Sequence, residues 1–239
     1  MKTAKKYTLL IALVMSCFFL SAQEWALRYP GEHPNGYSHF FDGFVDEDGV
    51  AFLVGQEGPH RDTANAVLLR IESSGCPASF IYTKEGYFSK ASGIVEMPDH
   101  HLLVAGNLYN ESSNKLLILI FDKDLNLLEE RQYDKEVASR SFGQCSCILN
   151  SRGHAIVSTY VAQDNEYNGT YYRGVFYKLN HHGDTIAHRY LIDDDPSPVY
   201  YLMDFRMRQM WYQSQDETLL CLAPGYGGIL SFIAFSSAP

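Results

Sequence analysis

Apolar runs of five to seven residues, each closed by a tight polar turn, succeed one another along the chain. One set covers residues 51–55, 102–106, 155–159 and 219–223; a second covers 66–71, 116–121, 174–179 and 229–235. Runs of this length suit strands buried on both faces. Ahead of the first set, Gly43, Gly93 and Gly143 open three further strand-like segments at separations of 50 and 50. After the second set, Tyr29, Tyr82, Tyr133 and Tyr190 end short strand-like segments at separations of 53, 51 and 57. Polar turns such as Asp46-Glu47-Asp48-Gly49 and Asn180-His181-His182-Gly183 join the runs, the signature of hairpins. The period is one supersecondary unit of four strands, so the pattern predicts an all-β repeat architecture.

The recurrence of apolar strand, Asp-Gly or His-Gly turn and apolar strand about every 50 residues resembles the β-propeller repeat families. The resemblance spans about residues 24–235 and is generic, with no kelch double glycine and no regular Trp-Asp dipeptide. It implies a β-propeller of four-stranded blades and carries no family site residues. Two strands are left without blade-mates. Residues 25–29 precede any complete blade, and the run 229–235 has no fourth strand after it. Four blades, with the N-terminal strand closing the last, account for both and remove two open sheet edges. The alternative is part of a larger propeller.

Residues 1–23 carry a basic start, an apolar run from Leu9 to Leu20, and small residues before a polar exit. These are the parts of a signal peptide for secretion or transfer to the periplasm, leaving one domain at 24–239. The apolar run is shorter than the ~20 residues a membrane span needs, and no membrane insertion is expected after cleavage. The chain has formal net charge −9, with 28 acidic against 19 basic residues. Losing Lys2, Lys5 and Lys6 would make the balance −12. That disfavours nucleic acid and anionic membranes as partners, since both are held by clustered Lys and Arg. Cys76, Cys145, Cys147 and Cys221 remain in the exported chain, as two disulfides or as buried free thiols. Cys145 and Cys147 share one strand face, a poor geometry for bridging each other.

In a propeller the connections between blades and the loops joining second to third strands gather on one face. Here they comprise residues 33–41, 83–92, 134–142 and 191–201, with 56–65, 107–115 and 160–173 within blades. Aromatics and acids crowd these segments, and loops on a rigid scaffold are where binding groups concentrate. The candidate ligand-binding residues are Tyr37, His39, Tyr87, Lys90, Arg140 and Tyr200, with aromatic rings to stack on sugars or grip side chains. Phe40, Lys90 and Arg140 each lie three residues before a strand-opening glycine, so the two cations are expected to converge on an anion such as a uronate or a C-terminal carboxylate. The pairs His100-His101 and His181-His182 fall in tight turns, and Asp122 to Leu127 lacks the glycine of a calcium loop. No metal or other cofactor is expected, and no nucleophile motif is present. Asp62-Thr63-Ala64 and Asp184-Thr185-Ile186 resemble an O-glycosylation pattern of exported bacterial proteins. The expected function is an exported, non-catalytic scaffold binding a glycan or a cell-envelope or extracellular protein. The alternative is a carbohydrate-active hydrolase or lyase.

Overall fold

A computed structural model describes residues 36–134, 141–142, 144–164, 170–190, 209–213, 218–224 and 230–236. Within them the protein is all-β apart from a 3-10 turn at Arg61–Thr63. The first sheet runs in chain order through β1 (Tyr37–Val45), β2 (Ala51–Gly58), β3 (Asn65–Ile71) and β4 (Pro77–Tyr82). The second repeats it with β5 (Phe88–Glu96), β6 (Leu102–Tyr109), β7 (Asn114–Phe121) and β8 (Leu127–Tyr133). In the third, β9 (Ser141–Phe142) and β10 (Ser146–Leu149) both pair with β11 (Ala155–Asp164), followed by β12 (Thr170–Leu179) and β13 (Thr185–Tyr190). The last comprises β14 (Gln209–Gln213), β15 (Thr218–Pro224) and β16 (Leu230–Ser236). All pairings are antiparallel. Tyr82, Tyr133 and Tyr190 close β4, β8 and β13, where the period puts them. Residues 1–23, the strand expected at 25–29 with Tyr29, Arg140 and Tyr200 lie outside the described residues.

The sheets stack through their first strands. β5 packs on β1, β2 and β3, β10 packs on β5 and β6, and β14 packs on β10. The middle sheet is apolar on both faces because successive side chains alternate sides. Leu102, Val104, Leu117, Leu119 and Phe121 join Phe52, Val54 and Leu68 of the first sheet. Leu103, Ala105, Leu116, Ile118 and Ile120 join Val157, Val175 and Leu179 of the third. This is why β6 and β7 read as unbroken apolar runs. Cys145 and Cys147 face this second cluster together as free thiols, and Cys76 is free and exposed. Among the described residues no helix is long and apolar enough to cross a membrane.

One turn design recurs six times among the described residues. In each, the first residue's N–H donates to the carbonyl four residues on, and the fourth residue's N–H donates back, as in Asp46 N to Val50 O at 2.9 Å and Gly49 N to Asp46 O at 3.1 Å. The fourth residue takes a positive φ, from 65° at His100 to 84° at Gly75. Glycine adopts this at no steric cost and fills four of the six places. At Asp46, Asp122, Asn150 and Asn180 the side-chain oxygen also accepts two backbone N–H groups of its own turn. Asp122 therefore caps a hairpin. The histidine pairs lie in two of these turns: His100 contacts Glu96 at 2.8 Å, and His182 contacts Glu129 at 2.8 Å.

Two expectations are corrected. Several segments read as long loops carry strand where they are described: β1 begins at Tyr37, β5 at Phe88, and β6 and β7 are joined by residues 110–113 alone, while 191–201 lies outside the described residues. Polar tips lack an apolar run, so they resemble loops in sequence although their backbone stays paired, Tyr37 with Gly58 and Phe88 with Tyr109. The strand-opening glycines are also not equivalent. Gly43 pairs with Leu53, the third residue of β2, whereas Gly93 pairs with Ala105, the fourth of β6. Register is set from the turn, and from the turn His39 and Lys90 correspond, opposite Gln56 and Asn107. Phe40 is not the counterpart of Lys90. β14 also opens the last sheet without any glycine to mark it.

Candidate functional site

At the ends of the sheets away from the six turns, a cavity of about 350 Å³ opens between the first three sheets. Its wall begins with β1. Alternation along the strand brings Tyr37, His39 and Phe41 to the same side, Phe41 being the extra residue of a bulge between Phe40 and Asp42. Ring centroids are 6.2 Å apart for Tyr37 and His39 and 4.5 Å for His39 and Phe41. The Lys90 ammonium lies 4.0 Å from the centre of the Phe41 ring, a cation–π contact.

Two glycines hold this arrangement. A Cβ at Gly106 would collide with the Lys90 carbonyl oxygen, and one at Gly55 with that of His39. The bulged strands therefore come close enough to present His39 and Lys90 only because β2 and β6 carry no side chain there. Asp42 fastens the first sheet to the second, its carboxylate accepting the Ile94 N–H at 3.1 Å and the Gly43 N–H at 2.9 Å. Ser92 Oγ accepts the Cys145 N–H at 2.7 Å and ties the second sheet to the third.

The floor is polar. Gln56, Asn107 and Tyr160 occupy the same position on β2, β6 and β11, five residues beyond Ala51, Leu102 and Ala155, which each pair with the last residue of the preceding strand. All three line the cavity. Gln56 and Asn107 are each 5 % exposed. The Asn107 Nδ2 and Asn114 Oδ1 atoms are enclosed without a hydrogen-bond partner among the described residues. A buried polar group left unpaired costs about 1–3 kcal/mol.

Arg61 and Asp62, from the 3-10 turn between β2 and β3, complete the rim. Burial pushes the Lys90 pKa down and the Arg61 guanidinium adds to this, while Cys145 acts the other way. Burial also holds the Cys145 thiol up at about 11, so it is protonated at neutral pH and offers Lys90 no counter-charge there. Among the described residues neither Lys90 nor Arg61 makes an ion pair: Glu85 does not pair with Lys90, and Asp134 pairs with Lys115 at 3.3 Å. The Tyr109 phenol is raised by burial and by Asp62, with Arg61 opposing, which keeps it a hydrogen-bond donor.

A second cavity of about 700 Å³ adjoins the first, and Asp62 and Tyr109 line both. Tyr87, Phe88 and Glu111 line its far side, with the Phe88 and Tyr109 rings 6.2 Å apart. Of the sequence candidates, Tyr37, His39 and Lys90 thus meet in one cavity and Tyr87 lies in its neighbour. Arg61, Asn107 and Asn114 were missed, although each stands in a segment read as loop on the candidate face. For Asn107 the signal was the repeat position counted from the turns, which it shares with Gln56 and Tyr160. No cluster of three or more His, Cys, Asp or Glu able to hold a metal occurs among the described residues. Thr185 of the second glycosylation-like triplet has its hydroxyl enclosed. Thr63 of the first lies on the 3-10 turn at the rim.

No protein-family model matches the chain, and no curated protein sequence matches it.

Proposed function

We propose that this chain is an exported β-propeller scaffold that binds a glycan, or a cell-envelope or extracellular protein, through the cavity face, without catalysing a reaction. The observation that carries the binding reading is a cavity walled by aromatic rings and lined by Asn107 and Asn114, each with one enclosed polar atom that has no partner among the described residues. Aromatic faces with a few fixed amide groups suit sugar rings and their hydroxyls. The four-blade ring is supported by the serial stacking of first strands and by equivalent residues from three sheets meeting at one cavity. In that ring the strand at 25–29 completes the last sheet. Export rests on the composition of residues 1–23.

The test is a glycan array probed with the wild type and with Tyr37→Ala and Asn107→Ala. A defined set of retained glycans, lost in both variants while thermal melting stays cooperative, is the expected outcome. A blank wild-type array removes the glycan reading. The hydrolase reading draws on Asp62 and Glu111, which line the second cavity together. Both are exposed, whereas a general acid is kept protonated at neutral pH by an apolar pocket. Release of sugar from an array-positive oligosaccharide, abolished by Asp62→Asn, would favour that reading.

A further inference from the structure

Resting on the glycan-binding reading, the charges along the two cavities narrow the ligand. The first cavity presents two basic side chains, Lys90 and Arg61, and among its described lining residues one carboxylate, Asp62. The second presents no basic side chain among its described lining residues, two carboxylates, Asp62 and Glu111, and the rings of Tyr87, Phe88 and Tyr109. The groove is therefore polarised, with its cationic end where the buried amides lie.

We infer that the groove takes an oligosaccharide whose terminal ring carries a carboxylate, bound between Lys90 and Arg61, and whose next rings are neutral and run past Asp62 and Tyr109 toward Tyr87 and Phe88. The carboxylate receives charge-assisted donors, with the Arg61 guanidinium able to grip it in bidentate fashion. The terminal ring faces the Tyr37–His39–Phe41 wall, its C–H face against aromatic carbon. Ring hydroxyls both donate and accept, so one sugar can meet the Asn107 and Asn114 side-chain amides, which both line the cavity. Asp62 and the Tyr109 phenol, at the junction, accept and donate to hydroxyls of the linkage region. A second carboxylate further along would meet Asp62 and Glu111 and be repelled, which excludes a uniformly charged polyuronate. A peptide C-terminus also supplies a carboxylate, with backbone N–H and C=O groups for the amides, so the sugar assignment rests on the aromatic wall and the peptide arm of the test separates the two.

The groove's size agrees with this. About 350 Å³ for the terminal ring is near the lower bound of small-molecule sites, and the adjoining 700 Å³ leaves room for further rings. Because Lys90 pairs with Asn107 just before the bulge between Ala91 and Gly93, with its carbonyl against Gly106, the charged and neutral contacts are built from adjacent strands of one hairpin. The geometry is thereby set before the ligand arrives, which limits the ordering cost of binding.

The experiment is calorimetric titration of the full chain with a panel of trisaccharides of gluco, galacto and manno configuration. Each is supplied neutral and oxidised to a carboxylate at C6 of the terminal ring, beside the fully oxidised trimers and a carboxylate-ended hexapeptide mixture. At least one singly oxidised trisaccharide is expected to bind about tenfold or more tightly than its neutral form, the scale of a hydrogen bond to a charged group. Lys90→Met and Arg61→Gln are expected to erase that preference, bringing the singly oxidised form down to the affinity of the neutral one, while cooperative thermal melting reports that the fold is intact. Equal binding of neutral and singly oxidised forms overturns the inference and leaves the scaffold reading standing. Tightest binding of the fully oxidised trimers overturns the proposed polarity. Binding of the peptides alone overturns the sugar assignment, and silence from the whole panel overturns both the inference and the glycan reading.

Discussion

Asp42 carries a cost that its neighbours only partly offset. Burial drives its pKa upward, and the N–H groups of Ile94 and Gly43 pull it back without cancelling the effect. An acid raised in this way binds more protons folded than unfolded, so it destabilises the fold as pH climbs from about 4 through its folded pKa. Asp42→Asn keeps an acceptor for one N–H and removes the buried charge. Its melting temperature relative to the wild type is expected to fall as pH drops from about 7 toward about 4, because the wild type regains stability on protonation; a relative rise on acidification would reverse the assignment. Residues of this scale were unevenly legible in the sequence. Tyr37 and Lys90 stood out because their side chains carry obvious chemistry. Asn107 did not, since an amide at the tip of an apolar strand looks like the onset of a loop. What distinguishes it is the absence of a partner, a property that only three-dimensional neighbours define.

The hairpin is the unit that places the site. Its turn fixes register, its bulge swings one side chain toward the cavity, and a glycine across the pair makes room for the bulge. Gly106→Ala is expected to cost about 1–3 kcal/mol, the range for overpacking a filled interior, because its methyl meets rigid backbone at Lys90. It is also expected to weaken ligand binding at temperatures where the protein is still folded. Gly153→Ala, by contrast, meets the Pro98 side chain and strains a positive φ, so it should destabilise the turn while sparing binding. Denaturant melts paired with binding measured at low temperature separate the two effects. Elements were the most legible level, since the apolar runs of β6, β7 and β3 coincide with strands wherever both faces are buried. The polar halves of β1, β5 and β11 were not, because a strand tip facing a polar cavity loses the apolar signal while keeping its ladder. Equating glycines across repeats failed for a related reason: they sit where the backbone is crowded, and the crowded point shifts by a residue between β1 and β5.

At the scale of the molecule, the sheets follow one another in chain order, and each leans on the next through its first strand. In the ring proposed above, the segment 24–29 belongs with β14, β15 and β16 although nearly two hundred residues separate them. Removing residues 24–29 is expected to speed hydrogen exchange in β15 and β16 and to leave β2 and β3 near their original rates. Faster exchange confined to the first sheet would refute that ring. Charged contacts across the turn end support the serial order: Lys123 reaches Asp46 of the first sheet at 2.9 Å, and Arg131 reaches Asp184 of the third at 2.9 Å. Burial drives the Asp46 pKa up, but Lys123 and two turn N–H groups outweigh it and hold the carboxyl below its ordinary value.

The doubly apolar middle sheet has one more consequence, for how the protein comes apart. Leu117 and Ile118 are consecutive residues of β7, yet they serve different cores. Neither core can open without stripping one face of the same two strands, so the first three sheets share a single unfolding event instead of peeling away one at a time. A ligand seated in the cavity between them would then slow the opening of all three, protecting from proteolysis parts of each sheet that lie far from the cavity.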